Sequence, residues 1–235
     1  MSKYEFVPKS EYLPVRIELE KILKEVQNII RDEFTFQFRL VGSGNKHLIT
    51  REINGNKGFD FDYNLILNHP KSSVGYYWLP KYAKETLMKA FRKVVKGTNY
   101  SDPEDSTTSI TIKVKDYKNS KIFHSCDFAI IYYPNDEQYD YYKYIRFNKP
   151  TNYTWEIRTI SKNIDDKLEW LKHNVPNYWT LIKEHYLHLK NTNKDKNKHS
   201  FQLYYETINN LYNEYHKGRA PWWQRNRHLR TRQGL

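Results

Sequence analysis

The sequence predicts an α+β protein: a mixed β-sheet, with a long helix before it and a helical region after it. Three observations carry that prediction. A three-four spacing of apolar residues opens the chain, alternating apolar runs fill its middle, and from about residue 161 the spacing turns helical again. The change of period divides the chain into a sheet-bearing domain, 1–160, and a C-terminal helical region, 161–235, that ends in a basic tail.

In residues 14–34, Val15, Leu19, Ile22, Leu23, Val26, Ile29 and Ile30 form one stripe and Ile17 falls off it. That is an amphipathic helix whose stripe must be buried, most simply on the sheet that follows. Residues 34–41 alternate, with Phe34, Phe36, Phe38 and Leu40 on one side, and lead into the turn Gly42-Ser43-Gly44. A short helix is expected from near Asn45 through Arg51, its first N–H groups toward a phosphate. Residues 54–58 read as an extra turn, and residues 59–67 as the second strand. A connection at 68–73 precedes a helix over 81–96, with Ala83, Leu87, Ala90, Phe91 and Val94 inward, stopped by Gly97. Residues 98–106 are polar and read as a loop. Residues 109–115 and 121–133 form a hairpin around a turn at 116–120. After a polar loop at 136–140, residues 141–147 extend the sheet or begin a subdomain, and 151–160 alternate again. Three helices follow: one capped by Ser161 and running through Leu171, one over 176–189, and one over 201–215. A charged linker, 190–198, separates the last two.

Composition sets the class of partner. The 235 residues carry a formal charge of +12; only 38% are hydrophobic, yet 16% are aromatic, with 21 Tyr. Such a core is built from Tyr, Phe, Ile and Leu, with many Tyr rings half-buried and their hydroxyls wet. The single cysteine, Cys126, excludes a disulfide framework and a four-cysteine zinc site. With His124 it is too sparse for a structural zinc site and reads as a packed thiol beside a hydrogen-bonded histidine. No apolar run approaches the roughly 20 residues of a membrane span, and the N-terminus has no signal-like apolar region. The expectation is a cytoplasmic protein with no membrane part. The positive balance suits a nucleic acid or a nucleoside triphosphate, although a Lys- and Asn-rich chain also reflects an AT-rich genome. In the tail, residues 217–232 interleave Arg and Lys with Trp222 and Trp223 and contain no acid. Arginines suit phosphate and Trp stacks on bases; equally, the two Trp residues pin the tail to the body.

The chemistry lies in the second strand. Alternate strand residues share a face, about 6.8 Å apart over two residues, so Asp60, Asp62 and Asn64 line one face and Phe59, Phe61, Tyr63 and Leu65 the other. Carboxylates that close repel unless a cation sits between them. Mg²⁺ takes oxygen ligands and is held by one or two carboxylates plus substrate phosphates, which a turn of backbone N–H groups can cradle. Asp127 is a lone acid in an apolar strand, costly unless paired or metal-bound. The plain alternative is a solvated acidic strand beside an ordinary turn, with Asp127 paired to a lysine at a sheet edge.

Gly42 and Ser43, then Asp60-x-Asp62, then Asp127 on a later apolar strand resemble the nucleotidyltransferase superfamily with the DNA polymerase β-like palm. The match covers residues 34–131, with a spacer after Gly44 slightly longer than usual. The long helix leading into the Gly-Ser turn is similar to the layout of the oligoadenylate and cyclic-dinucleotide synthase branch; the chain length is similar to that of bacterial toxin-type tRNA transferases. The resemblance implies transfer of a nucleoside monophosphate from a triphosphate such as ATP to a hydroxyl, with pyrophosphate released. It implies two Mg²⁺ ions on Asp60, Asp62 and Asp127, phosphates gripped by Gly42 and Ser43, and Lys46, Arg51 and Lys57 within reach of phosphate. The implied acceptor is RNA, tRNA foremost, or a nucleotide. The alternatives are a non-catalytic RNA-binding protein on a degenerate palm, and an antibiotic nucleotidyltransferase, which the positive charge disfavours. No oligomeric state follows.

Overall fold

The computed structural model describes residues 3–68, 79–134, 141–148, 152–159, 163–195 and 198–216. The tail, the Ser161 cap, the loop at 136–140 and most of the connection at 68–73 lie outside the described residues. Two compact units are present, Met1–Ile160 and Ser161–Leu235. Among the described residues no helix is long and apolar enough to cross a membrane.

The first unit runs β1 (Tyr4–Phe6), α1 (Lys9–Ile30), β2 (Phe36–Val41), α2 (Gly42–Asn45), β3 (Thr50–Glu52), β4 (Phe59–Leu67), α3 (Pro80–Val95), β5 (Glu104–Asp105), β6 (Ile110–Asp116), β7 (Lys121–Tyr132), β8 (Tyr141–Asn148) and β9 (Asn152–Thr159). The main sheet is ordered β2-β4-β7-β6-β5. Among the described residues its one parallel pair is β4 with β7; β2 with β4 and β6 with β7 are antiparallel. Past the β6 pairing, Ile131 and Tyr132 of β7 take up β8, which pairs in turn with β9, so residues 141–148 extend the sheet.

The expected alternation of β4 holds: Phe59, Phe61, Tyr63 and Leu65 are buried. They share one core with Cys126, Phe128 and Ile130 of β7 and with the stripes of α1 and α3. Phe91 of α3 packs on Phe128 with ring centroids 4.6 Å apart. On α1 the buried residues are Tyr12, Leu19, Ile22, Leu23, Val26 and Ile30, whereas Ile17 stays 60% exposed. With both helices on the apolar face, Asp60, Asp62, Asn64 and Asp127 stand on the opposite one, together with the buried pair Ile66 and Ile131.

Three expectations are corrected. The first helix begins at Lys9, with Pro14 inside it. An interior proline loses one helix bond and costs roughly 3 kcal/mol. Here the turn ahead of it is closed by the N–H groups of Glu11 and Tyr12 donating to Pro8 O, and Tyr12 is anchored edge-on against Phe61. The helix expected from Asn45 through Arg51 is absent. Gly42–Asn45 makes one helical turn, and residues 50–52 become β3, paired antiparallel with β1. The segment 48–50 is buried, and strand pairing with β1 satisfies its backbone there; Val7 N–H also donates to Ile49 O at 3.0 Å. Within the loop expected at 98–106, Glu104 and Asp105 form a short strand on β6.

The extra turn at 54–58 has a structural task. Ile122 N–H donates to Asn56 O at 2.8 Å, docking the turn on the start of β7. Gly58 has φ +62°, and a Cβ there would stand 2.1 Å from Phe123 O and 2.5 Å from Ile122 O. Gly58→Ala is therefore expected to lower stability by about 2–4 kcal/mol, combining left-handed strain with overpacking. A urea titration followed by circular dichroism checks this; an unchanged midpoint refutes it.

The second unit contains α4 (Asn163–Asn174), α5 (Tyr178–Thr192) and α6 (Ser200–His216). Helix α6 packs on both others and buries Leu203, Tyr204, Ile208 and Leu211. Against these helices the buried partners are Leu171, Ile182 and Tyr186. Helix α5 starts at Tyr178 rather than Pro176, because Asn177 takes a left-handed conformation, φ 56°.

Candidate active site

Strand pairing sets the geometry of the site. In the parallel β4–β7 ladder Asp62 is the partner of Asp127 and Asp60 the partner of Ser125. Neighbouring strands lie about 4.8 Å apart, so Asp62 and Asp127 stand side by side on the polar face, with Asp60 one step along β4. Asp60 is exposed; Asp62 and Asp127 are half-buried. Burial, with Asp60 and Asp127 both close by, pushes the Asp62 carboxyl up to about 7. The three aspartates thus stand on one face of two adjacent strands.

The Gly-Ser turn closes over the same patch. Val41 is the β2 partner of Asp62, so the chain enters α2 directly beside that carboxylate. Gly42 has φ +61°, and a Cβ on it would stand 2.8 Å from Asp62 Oδ2. The turn is held from below by Gly44, which is buried, and by Leu48 N–H donating to Ser43 O at 2.9 Å.

Asp127 is held by two hydroxyls that the sequence reading missed. Its Oδ1 accepts from Thr111 and, at 3.2 Å, from Ser109. Thr111 Oγ1 also lies 2.8 Å from Ser106 Oγ. Among the described residues no three His, Cys, Asp or Glu side chains stand close enough to hold a metal ion between them. Like charges on adjacent strands repel, and Asp127 turns to its own hydroxyl donors, Thr111 on β6 and Ser109 just before it. The backbone brings the three aspartates to one face; their carboxyl groups are not gathered into a cage.

No protein-family model matches the sequence, and no curated protein matches it. Solved structures do. The Vibrio cholerae cyclic AMP-GMP synthase DncV, described as a prokaryotic cGAS homolog, superposes with a TM-score of 0.51 at 17% identity over 83% of this chain and 50% of that one. The same synthase in complex with nonhydrolyzable GTP gives 0.51 at 17% over 88% and 53%. A mutant of it in complex with ATP and GTP gives 0.51 at 16% over 88% and 55%. The protein shares the fold of that synthase. The chain spans about half the length of the structures it matches.

Within that fold the remaining expected residues fall in different places. Lys46 directly follows α2 and is half-buried. Arg51 lies on β3 with its guanidinium between Glu5, at 2.7 Å, and Glu11; these two carboxylates raise its pKa further. Its position ties β3 to β1 and α1. Lys57 is exposed in the docked turn. His124 and Cys126 pack as expected. His124 Nε2 is 3.2 Å from Tyr100 OH and burial holds its pKa down to about 4, while burial pushes the Cys126 thiol well up.

Proposed function

We propose that this protein transfers a nucleoside monophosphate from a nucleoside triphosphate to a hydroxyl of a second nucleotide, releasing pyrophosphate. The observation that carries the reading is the β4–β7 register, which sets Asp62 beside Asp127, with Asp60 on the same face and Gly42 directly above. We assign the chemistry to residues 1–160 as a palm domain, with 161–235 as a helical region, and place the reaction in the cytoplasm, where triphosphates are available.

The donor chemistry suits Mg²⁺: the three side chains on this face offer only carboxylate oxygens, and Asp62 is destabilised as an anion by burial and by Asp60 and Asp127. Asp60, Asp62 and Asp127 would hold the ions. When bound, Mg²⁺ neutralises phosphoryl charge and lowers the pKa of the attacking hydroxyl. The protein's own groups do the rest. Gly42 lets the backbone pass closely above Asp62, so the N–H groups and Ser43 hydroxyl of the turn face the triphosphate. The acceptor oxygen bonds to the α-phosphorus as the bond from that phosphorus to the bridging oxygen breaks. The hydroxyl proton leaves toward Asp127, whose orientation is set by Ser109 and Thr111. Such catalysis is mainly positioning and electrostatics.

A nucleotide acceptor is supported by the relatives of the fold, named for a cyclic AMP-GMP product and solved with GTP or with ATP and GTP. The net charge of +12 suits polyanions in general. Incubation with each α-labelled triphosphate, singly and in pairs, with Mg²⁺ and with or without total tRNA, tests the proposal. Label in a nucleotide product with stoichiometric pyrophosphate is the expected result. Label on tRNA replaces the acceptor; no pyrophosphate from any triphosphate ends the proposal.

A further inference from the structure

We propose that Lys84 is a positioning residue for Asp127: its buried ammonium group fixes the 106–109 corner whose hydroxyl and backbone aim that carboxylate. The inference rests on the reading of Asp127 as a site carboxylate.

Lys84 lies among the apolar residues of α3, next to Ala83 and one turn before Leu87, and its side chain is only 1% exposed. A lysine there needs acceptors for all it donates, because an uncompensated buried ammonium costs several kcal/mol. The acceptors belong to one short segment. Lys84 Nζ donates to Ser109 O at 2.8 Å and to Ser106 O at 3.4 Å, and pairs with Asp105 Oδ1 at 3.0 Å. Asp105 accepts in addition from Tyr153 OH of β9.

The same segment holds Asp127. Ser109, whose carbonyl takes the lysine, offers its hydroxyl to Asp127 Oδ1 at 3.2 Å. Ser106, whose carbonyl takes the longer bond, has its hydroxyl 2.8 Å from that of Thr111, the second donor to Asp127. Both routes from the ammonium group therefore end on the same carboxylate oxygen. The facing charged groups are Asp105 on β5 and Asp127 on β7, and both favour the charged lysine against its burial. A lysine serving only to tie α3 to β5 would need Asp105; it would not need the two serine carbonyls next to the Asp127 donors.

Lys84→Met keeps the packed stem and removes the cation; Thr111→Val removes the nearer hydroxyl and keeps the shape. Each is expected to lower kcat for nucleotidyl transfer about 10-fold or more with KM for the triphosphate nearly unchanged, the scale seen when partners of metal-site ligands are removed. The double variant is expected to lose no more than the larger single loss, since both act through one carboxylate; multiplied losses overturn the proposal. A second readout needs no activity. In urea, the midpoint shifts of Lys84→Met and Asp127→Asn are expected to combine with a departure from additivity of about 0.3 M or more. Additive midpoints overturn the role whatever the activity. Non-additive midpoints in a protein that releases no pyrophosphate keep the coupling and remove the nucleotidyl-transfer reading, so the two failures are distinct. If Lys84→Met does not fold, Lys84→Gln enters the same cycle, and additivity there overturns the proposal equally.

Discussion

Replacing Asp60 and Asp62 together by Asn abolishes pyrophosphate release, with a loss on the order of 10³-fold or more, the scale of removing a main electrostatic element from an active site. The fold should survive. Asp60 is exposed and Asp62 half-buried on the polar face, and Asn keeps both shapes while removing the mutual repulsion. Two measurements are needed: pyrophosphate release with each triphosphate, and a melting curve to show that the variant is folded. Retained transfer in a folded double variant would sink the proposed site. A protein that only binds RNA predicts a different pattern, with no transfer in either form and unchanged RNA binding.

In the presence of a chelator, Asp62→Asn should be more stable than the native protein above pH 7, and the gain should vanish toward pH 4. The folded-state pKa of Asp62, about 7, lies above its ordinary value of 3.8 because the carboxyl is buried beside Asp60 and Asp127. Between those pH values the folded chain holds a proton that the unfolded chain has released. Stability therefore falls as pH rises through this window and stays low above it. Below pH 4 both states hold the proton and Asp62 adds no penalty. Each pKa unit corresponds to 1.36 kcal/mol. Asp60 and Asp127 share the repulsion, so we expect a gain of about 2 kcal/mol at pH 8, or roughly 5 °C in Tm for a chain of this size. Mg²⁺ added at pH 8 should raise the Tm of the native protein and leave the Asp60→Asn, Asp62→Asn double variant unmoved. A native protein whose Tm is flat from pH 4 to 8, and indifferent to Mg²⁺, would remove the electrostatic basis of the site.

Much of this architecture was written in local pattern. The alternation of residues 59–67 placed three polar side chains on one face and set the strand's bounds, and the structure has that strand at Phe59–Leu67. The stripe of residues 83–94 made a helix, and the turn at 116–120 made a hairpin. The expected fold class is the observed one. Where the reading failed, the deciding partner was distant in sequence. Residues 50–52 look helical until β1 pairs with them. Pro14 looks like a helix start until Tyr12, in the turn before it, packs edge-on against Phe61.

The donors to Asp127 show the same limit. Counting straight back from the hairpin turn, where Asp116 pairs with Lys121, sets Ile110 opposite Asp127. An irregularity between Val114 and Lys115 shifts the register by one residue and brings Thr111 there instead. A one-residue shift exchanges the faces of a strand, so an apolar neighbour becomes a hydroxyl donor, and nothing in the local alternation announces it.

What the sequence by itself determined is the succession of the longer helices and strands and the face on which Asp60, Asp62 and Asp127 each stand, because periodicity is a property of neighbours along the chain. Only the tertiary structure decided that β4 lies parallel to β7, that Gly42 sits on Asp62, and that a lysine is buried beneath the Asp127 donors. Strand register, close approach and desolvation arise between segments remote in sequence, and their free energies exist only once those segments meet.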